Sequence, residues 1–334
     1  MITLKDVAKL ANVDVSTVSR CLNNKSYIHP ETRAKIMAAV EELSYRPNVL
    51  AKSLREGKRN TIAVVIPKLS FSIFAEVASG IEQEAIRRGY ATIICNTGDT
   101  KEEEKKCLNR LRNGFIDGLI VAGCGANKRL IREINSDEMP VVQVIRELDP
   151  LISSIVVDYA DIGYRSVKYL YERGCRKVGL INGSMDIPPY AERYKGYKRA
   201  ISELHLEEIA IDLDSNNRGM KYGYDCTNRL IDGYSHMDAI MAGTDAQGMG
   251  VLRAAKENGL SVPQDLQILS MTGYQVGDML ETSLTSMELP GYEIGNRATE
   301  MLIHMIEADK NKKIPVQHLR FDATLNERES TSSV

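Results

Sequence analysis

The stretch TLKDVAKLANVDVSTVSRCLNN, residues 3–24, has the pattern of two short amphipathic helices separated by a tight turn. Thr3 and Asp6 are spaced as in a capping box, which predicts that the first helix begins directly after Thr3. In the second helix, the polar residues Ser16 and Arg20 lie four apart and therefore share the outer face. Two helices of this kind form the shape that enters the major groove of DNA. The same pattern also fits a helical interaction domain whose outer face is simply solvated.

The residues that follow extend this helical region to about residue 60. Pro30 suits the first turn of a third helix, and Pro47 ends it. Asn48 can cap a short fourth helix that ends near Gly57. Residues 1–60 contain eleven Lys and Arg against six Asp and Glu, although the whole chain has a net charge of −2. A basic N-terminal segment on an otherwise acidic chain indicates that this segment binds a polyanion.

Beyond residue 60 the pattern changes to alternating strands and helices. Residues 61–67 (TIAVVIP) form a continuous apolar run, residues 74–88 fit an amphipathic helix, and a second strand follows. A similar cycle restarts at residue 161 and continues to residue 271. This alternation predicts parallel sheets covered by helices. Roughly 270 residues are too many for a single hydrophobic core, so we expect two similar α/β lobes. Ligand-binding residues should lie in the loops that follow the strands.

Composition excludes several other classes of protein. Of the 334 residues 26% are charged, and the longest apolar runs are far shorter than the ~20 residues that span a bilayer. The first residues, MITLKDVAKL, carry charges and lack the apolar core of a secretion signal. We therefore expect no membrane association and a cytoplasmic location. The six cysteines form no C-x-x-C pair, which indicates reduced structural thiols.

Common enzyme signatures are absent from the sequence. It contains no H-E-x-x-H, G-x-x-x-x-G-K-[ST] or G-x-S-x-G motif, and the Gly-rich segment GTDAQGMG, residues 243–250, has the wrong spacing for a phosphate-binding loop. We expect no enzymatic activity, no cofactor and no metal. Two alternatives remain, an α/β enzyme with an accessory headpiece and a plain solute-binding module. The missing motifs disfavour the first, and the basic helical segment disfavours the second.

Seven ordered stretches across the chain carry a family resemblance. They are TLKDVAKLANVDVSTVSRCLNN (residues 3–24), PETRAKIMAAVEELSYRPNVLAKSL (30–54), IPKLSFSIFAEVASGIE (66–82), FIDGLIVAG (115–123), RYKGYKRA (193–200), GTDAQGMG (243–250) and GLSVPQDLQIL (259–269). Together they closely resemble the lactose/purine repressor family of bacterial transcription regulators. The match to the family's headpiece is highly specific, and the resemblance covers nearly the whole chain.

The resemblance implies an α/β protein with an N-terminal all-α helix-turn-helix headpiece and a two-lobed domain like a periplasmic binding protein, built of parallel sheets flanked by helices. The headpiece would be residues 1–46, followed by a hinge helix and linker over 47–60. Effector binding and dimerisation would fall to residues 61–330. Within them, 61–158 and 291–320 would form the DNA-proximal lobe, and 162–286 and 323–330 the distal lobe.

The resemblance also implies which residues contact DNA. The family's recognition helix matches this chain at residues 17–20, and its base-reading positions fall on Val15, Ser16 and Arg20. The other implied DNA contacts are Thr3, Thr17, Ser19 and Asn23 in the headpiece, with Lys52 and Leu54 in the hinge helix. Leu54 would wedge open a base step in the minor groove, which bends the DNA. Such a short helix is marginal alone, so it should fold only with DNA and a dimer partner.

The family's effector-binding positions can be placed in the same way. They fall on Ser70, Phe71, Ile73, Phe74, Arg146, Arg193, Arg218, Asp245 and Thr272. Ile145 and Thr272 stand where many sugar-responsive relatives carry a carboxylate, whereas Arg146 and Arg193 remain. The loss of two negative charges predicts a cationic cleft, and arginines suit carboxylates and phosphates. We therefore favour an anionic effector such as a sugar acid or sugar phosphate; a neutral sugar, a nucleobase, a protein corepressor or no effector remain open.

Taken with the residues themselves, the resemblance predicts a sequence-specific DNA-binding transcription regulator. The expected role is repression of a carbohydrate-utilisation operon under the control of a small-molecule effector between the lobes. The expected partners are double-stranded DNA with a near-palindromic operator, the effector, and a second copy of this chain, because a two-fold operator mirrors a two-fold dimer.

Overall fold

The computed structural model describes residues 2–22, 27–45, 59–113, 116–137, 139–211, 219–234, 236–309 and 314–331. The chain divides into two compact units, Met1–Arg59 and Asn60–Val334. No helix within these described ranges is long and apolar enough to cross a lipid bilayer.

The first unit is helical, as the sequence predicts. Its described helices are α1 (Leu4–Ala11), α2 (Val15–Leu22) and α3 (Pro30–Glu42). Both halves of the capping box are present at the start of α1, and α3 has a proline in its first turn. A small apolar core joins the three helices through Val7, Val18 and Ile36, each of which is fully buried. This core fixes α2 against α1 and α3 and leaves its opposite face in solvent.

Within the described residues, the second unit contains two six-stranded sheets with helices on their faces. Its strands are β1 (Thr61–Ile66), β2 (Ala91–Asn96), β3 (Gly118–Val121), β4 (Val141–Val144), β5 (Ser154–Val157), β6 (Val178–Ile181), β7 (Ile209–Ile211), β8 (Ala239–Ala242), β9 (Gln267–Gly273), β10 (Thr285–Glu288), β11 (His318–Phe321) and β12 (Thr324–Asn326). Its α-helices are α4 (Ser72–Arg87), α5 (Lys101–Arg112), α6 (Lys128–Ser136), α7 (Tyr159–Glu172), α8 (Pro188–Glu203), α9 (Met220–Gly233), α10 (Asp245–Glu257) and α11 (Gly291–Glu307), and a 3₁₀ turn spans Gln275–Met279.

Parallel pairing dominates both sheets. The first sheet has the order β11–β5–β4–β3–β1–β2 and is parallel throughout. The second has the order β12–β10–β9–β8–β6–β7, and only its edge strand β12 is antiparallel to its neighbour. Apolar strands such as β1 (TIAVVI) are buried almost throughout, as expected for sheets that are covered on both faces. The parallel α/β architecture expected from the sequence is therefore confirmed.

Over the ranges that the structure describes, the chain passes between the two sheets three times. It leaves the first sheet after β5, returns to it between β10 and β11, and leaves it again between β11 and β12. We call the first sheet with α4, α5, α6 and α11 the first lobe, and the second sheet with α7 to α10 the second lobe. Several strands of each lobe end toward the same region of this unit, where polar side chains from both lobes meet.

Glycines bring pairs of helices into backbone contact. In the second lobe, a Cβ added at Gly163 of α7 would lie 2.1 Å from the carbonyl oxygen of Arg193 on α8, and one at Gly196 would lie 1.9 Å from that of Ala160. The α4–α11 and α9–α10 pairs pack in the same way, through Gly80 with Gly295 and through Gly223 with Gly250. No larger residue fits at these positions, so α7 directly sets the position of the Arg193 backbone.

Candidate functional site

The outer face of α2 carries the predicted base-reading residues. Val15, Ser16 and Arg20 are exposed, whereas Thr17 and Ser19 are half-buried. The Arg20 guanidinium lies back along the helix, where Nε donates to the Ser16 carbonyl (3.3 Å) and Nη2 to the Ser16 hydroxyl (3.4 Å). Val15 is 40% exposed although it is apolar. The face thus presents one methyl-rich and two polar groups to the solvent.

The remaining predicted DNA contacts lie in different surroundings. Thr3 is exposed, and both its hydroxyl and its backbone amide donate to the Asp6 carboxylate (2.7 and 2.8 Å), the second bond being the Asp6 half of the capping box of α1. These hydrogen bonds lower the pKa of Asp6. Asn23, Lys52 and Leu54 lie outside the described residues.

A cavity of about 380 Å³ opens between the two lobes. Residues from both lobes line it, and the loops after β1, β4 and β8 contribute much of its wall. Of the predicted effector residues, those that line this cavity are Ser70, Phe71, Ile73, Phe74, Arg146, Arg193, Asp245 and Thr272. The remaining one, Arg218, lies outside the described residues.

Several cavity residues were not singled out from the sequence. Aromatic and apolar side chains from the second lobe and the crossovers complete the wall, among them Tyr159, Ile187, Tyr190, Met249, Tyr274 and Leu289. Tyr159 directly follows Asp158, whose side chain caps α7. Its place on the crossover between the lobes is the one feature of the local sequence that indicates a position in the cleft. The lining therefore combines the predicted polar residues with many apolar and aromatic side chains.

Arg193 is one of two buried arginines that line this cavity among the described residues. It is only 3% exposed, its Nη1 donates to the Gly243 carbonyl (3.0 Å), and its Nε has no hydrogen-bond partner within the protein. The rings of Tyr159 and Tyr190 lie 4.8 and 5.7 Å from the guanidinium, within the range of a cation–π contact. Burial lowers the pKa of Arg193, because removal from water disfavours the charged form. A buried cation with an unpartnered donor is suited to an acceptor oxygen of a ligand.

Arg146 differs from Arg193 because its charge is already paired. Its Nη1 and Nη2 donate to the two oxygens of Asp99 (2.7 and 3.0 Å), and Nη1 also donates to the Gly123 carbonyl (3.1 Å). The Phe74 ring lies 5.8 Å from the guanidinium. The expectation that Arg146 adds net positive charge to the cleft is therefore wrong, since Asp99 neutralises it. The sequence did not connect these two residues, which are 47 positions apart.

Asp245 is the buried carboxyl of the cavity. It accepts a hydrogen bond from Ser270 (2.7 Å) within the second lobe and a long one from Ser72 of the first lobe (3.4 Å). Its backbone amide donates to Thr272 (3.2 Å). Burial raises the pKa of Asp245 to about 7 and outweighs the two hydroxyl donors. This side chain can therefore accept or donate hydrogen bonds near neutral pH, and it bridges the two lobes.

Two further residues of the cavity have unusual features: Tyr159 has a buried hydroxyl without a partner, and Ile145 has a strained backbone. The Tyr159 hydroxyl is buried without a hydrogen-bond partner, and burial raises its pKa to about 12, so it remains a neutral donor. Ile145 has a φ of 65°, which is unusual for a β-branched residue and costs of order 1–3 kcal/mol. The strained turn at Ile145 places both its side chain and that of Arg146 at the cavity wall. Strain of this kind clusters at ligand-binding positions.

Two protein families match this chain. Residues 3–48 match the family described as bacterial regulatory proteins, lacI family, and residues 167–331 match the periplasmic binding protein-like domain. The chain is 32% identical to the ribose operon repressor of Halalkalibacterium halodurans over 96% of this chain and 94% of that protein. It is 31% identical to catabolite control protein A of Priestia megaterium over 90% and 91% of the two chains.

Solved structures share the fold. A lac repressor dimer bound to operator and the anti-inducer ONPF matches with a TM-score of 0.86, 21% identity and 99% of each chain covered. A periplasmic binding protein/LacI transcriptional regulator from Alkaliphilus metalliredigens, complexed with D-xylulofuranose, matches with a TM-score of 0.72 and 28% identity over 82% of this chain and 100% of that one. The chain therefore belongs to the lacI family of bacterial regulatory proteins, and it is a DNA-binding transcription regulator rather than an enzyme.

Proposed function

We propose that this protein is a transcription repressor that binds a near-palindromic operator as a homodimer and is controlled by a small molecule in the cavity between its lobes. The observation that carries the DNA-binding part is the exposed face of α2, which lies within the lacI-family region. The related proteins include repressors named for the ribose operon, which supports a carbohydrate-utilisation operon as the target. Since bacterial genes lie in the cytoplasm, we place its action there.

Each exposed group of α2 suits a different feature of the major groove. The Arg20 guanidinium can reach the O6 and N7 acceptors of guanine with two hydrogen bonds. The Val15 methyl groups suit the C5-methyl of thymine, and the Ser16 hydroxyl can contact a base edge or a phosphate. We propose that Thr3, Thr17, Ser19 and Asn23 position the headpiece and that Lys52 and Leu54 act in the minor groove from the hinge at residues 47–60.

A selection from random duplex DNA tests this part of the proposal. The purified full chain should enrich a two-fold sequence, and affinity for it should fall steeply between 50 and 200 mM salt because phosphate contacts release counterions. An asymmetric consensus, or no enrichment at all, would refute the operator-binding dimer.

For the effector, the arrangement favours a small molecule with an acidic oxygen group at Arg193. The Nε of Arg193 and the hydroxyl of Tyr159 are both buried donors without protein partners, and both line the same cavity. A carboxylate or phosphate oxygen would satisfy both, and charge-assisted hydrogen bonds of this type are the stronger ones. Among the residues that the structure describes, the cationic character rests on Arg193, because Asp99 neutralises Arg146.

A neutral sugar is the second candidate. The Arg146–Asp99 pair and Asp245 offer both donors and acceptors, as sugar hydroxyls require. The aromatic rings of Phe71 and Phe74 could face a sugar ring. The structure from Alkaliphilus metalliredigens in complex with D-xylulofuranose also favours this class.

Isothermal titration separates the two classes. We would titrate D-ribose and D-glucose against their sugar acids and sugar phosphates, with wild type and Ile145→Asp in parallel. An acidic effector predicts heat only with the acids or phosphates, and weaker binding in Ile145→Asp because the new carboxylate repels the anion. Binding of the neutral sugars alone would favour the second candidate and overturn the first.

The bridge between Ser72 and Asp245 suggests how binding reaches the DNA. A ligand that contacts both sides of the cavity stabilises one relative position of the lobes, and only its differential affinity for the two positions can shift their populations. We propose that the DNA-proximal lobe passes this change in lobe position to the hinge at residues 47–60. This lobe comprises residues 61–158 and 291–320. Effector and operator affinities must then change each other by the same factor.

A further inference from the structure

The polar side chains of the cavity are mostly engaged within the protein already. Arg146 donates to both oxygens of Asp99. The Asp245 carboxyl accepts hydrogen bonds from two serine hydroxyls, and the Thr272 hydroxyl accepts one from the Asp245 backbone amide. The Thr244 hydroxyl caps α10. The polar atoms of the wall that have no protein partner therefore indicate best which groups a ligand must supply.

Two buried polar atoms of the described cavity wall lack a hydrogen-bond partner, and both can donate. They are Nε of Arg193 and the hydroxyl of Tyr159. The Arg193 guanidinium lies 4.8 Å from the centroid of the Tyr159 ring, so both donors belong to the same end of the cavity. None of the described side chains in this wall has a buried carboxylate or amide oxygen without a partner. The ligand should therefore present acceptor oxygens at this end.

Much of the remaining wall is apolar on both sides of the cavity. Phe74 and Ile145 of the first lobe are buried in it, and so are Ile187 and Tyr190 of the second lobe and Leu289 of the returning crossover. A sugar hydroxyl against these side chains would lose its hydrogen bonds to water without replacement. An alkyl chain or an aromatic ring has no such loss and gains from leaving water. The wall therefore favours a ligand with an apolar body.

Charge limits the acidic end of the ligand. Among the described residues of the wall, Arg193 supplies a positive charge that no hydrogen-bonded carboxylate neutralises. Asp245 lines the same cavity and adds negative charge when it ionises. A second negative charge on the ligand would therefore be buried without a counter-ion, which is costly. A carboxylate, with two oxygens and one charge, fits this balance better than a phosphate dianion.

We propose that the effector is a monocarboxylic acid with an apolar body, an alkyl chain or an aromatic ring, rather than a sugar derivative. Its carboxylate binds Arg193 and Tyr159, and its body lies against Phe74, Ile145 and Leu289. The cavity of about 380 Å³ has room for such a molecule, since about 150 Å³ holds benzene. This inference rests on the proposed control by an acidic effector and specifies the rest of that molecule.

Isothermal titration of the full chain with a graded set of compounds tests the proposal. The set is butyrate, hexanoate and 3-phenylpropanoate, with D-gluconate as the polar acid and 3-phenylpropanamide as the neutral counterpart. Affinity should rise about 4-fold for each methylene added between butyrate and hexanoate. We expect 3-phenylpropanoate to bind at least about tenfold more tightly than gluconate or the amide, because only it has both the charge and the apolar body. The heat capacity change of binding should become more negative along the series, as burial of apolar surface requires.

Two tyrosines of α7 provide a matched pair of variants. Tyr159→Phe removes the unpartnered hydroxyl and keeps the ring, so it should retain the Tm but weaken binding of 3-phenylpropanoate about tenfold. Tyr164→Phe removes a hydroxyl that donates to Glu203 (2.7 Å) and does not line the cavity. This control should bind 3-phenylpropanoate like the wild type. Unchanged binding in Tyr159→Phe would overturn the placement of the carboxylate.

The titrations separate this inference from the proposal on which it rests. Tighter binding of gluconate or of a sugar phosphate than of 3-phenylpropanoate would overturn the apolar body and leave an acidic effector in place. Equal binding of 3-phenylpropanoate and its amide would overturn the acidic end. Binding of neutral sugars alone would overturn both the inference and the acidic effector. The inference is also wrong if none of the apolar acids binds.

Discussion

The Asp99 carboxylate holds the Arg146 guanidinium through two parallel hydrogen bonds of 2.7 and 3.0 Å, and both side chains are almost completely buried. The pair crosses from the loop after β2 to the turn after β4. Arg146 is paired with Asp99, whereas the described residues show no carboxylate hydrogen-bonded to Arg193. The two arginines of this cavity therefore have different roles. Arg146 shapes the wall, whereas Arg193 supplies the charge.

Removal of Asp99 should therefore cost stability. In Asp99→Asn the Arg146 charge stays buried without its counter-ion, and loss of one partner of such a pair costs about 3–5 kcal/mol. We expect a matching fall in the free energy of unfolding by urea denaturation. The double variant Asp99→Asn with Arg146→Met should recover most of the loss, because it removes the stranded charge. A double variant no more stable than Asp99→Asn would show that the pair is not what makes Asp99 important.

Removal of Arg193 should have the opposite effect on stability. Arg193→Met replaces a buried cation, for which the described residues show no hydrogen-bonded carboxylate, with an apolar side chain of similar length, and this removes the desolvation cost of the charge. We expect an unchanged or higher Tm together with loss of the effector-induced shift in Tm. Arg199→Met, on the same helix but 66% exposed at the side chain, should retain the effector response. A normal effector response in Arg193→Met would contradict the proposed role.

Asp245 should make stability depend on pH. Its pKa is raised in the folded protein to about 7, above the value of about 4 in an unfolded chain. The folded state therefore binds the proton more tightly, so this contribution to stability is complete below pH 4 and is lost as the pH rises toward 7. Asp245→Asn should remove it. The difference in Tm between wild type and variant should change across pH 4–7, and a constant difference would show that Asp245 titrates normally.

Arg20 should read a base rather than stabilise the headpiece. Because its side chain is exposed, Arg20→Ala should leave the Tm unchanged but weaken binding to the selected operator by about 1–3 kcal/mol and relax preference at one base of each half-site. Fluorescence anisotropy with operators mutated one base at a time measures both effects. Arg129→Ala, whose side chain is 94% exposed in the first lobe, serves as the control and should bind like the wild type. An unaltered base preference in Arg20→Ala would remove Arg20 from the reading set.

Local patterns predicted much of the fold because the signals lie within a few residues. Thr3 and Asp6 form the capping box, and the apolar run of β1 is buried as expected. The predicted elements end at residue 271, so α11 and the strands β10 to β12 were missed. β11 alternates exposed and half-buried residues at the edge of its sheet and therefore lacks the continuous apolar run by which β1 is recognised.

The chemistry of the cavity was less predictable than its location. The family resemblance placed eight residues that line one cavity, but the charge of that cavity depends on Asp99, which lies on a different loop from Arg146. Likewise, the unusual ionisation of Asp245 arises from burial between two lobes rather than from its neighbours in sequence. Long-range pairing and desolvation leave no short pattern to read, so the structure had to supply them.

The glycine contacts between helices have a mechanical consequence. At Gly80 with Gly295, Gly163 with Gly196 and Gly223 with Gly250, helix backbones touch without intervening side chains, so the helices of a pair cannot slide or tilt without a backbone clash. Each lobe should deform little under load, and strain from a ligand would concentrate in the three thin connecting segments. Arg193 sits on one of these stiff pairs, so a force applied at its guanidinium would turn the second lobe as one piece instead of bending α8.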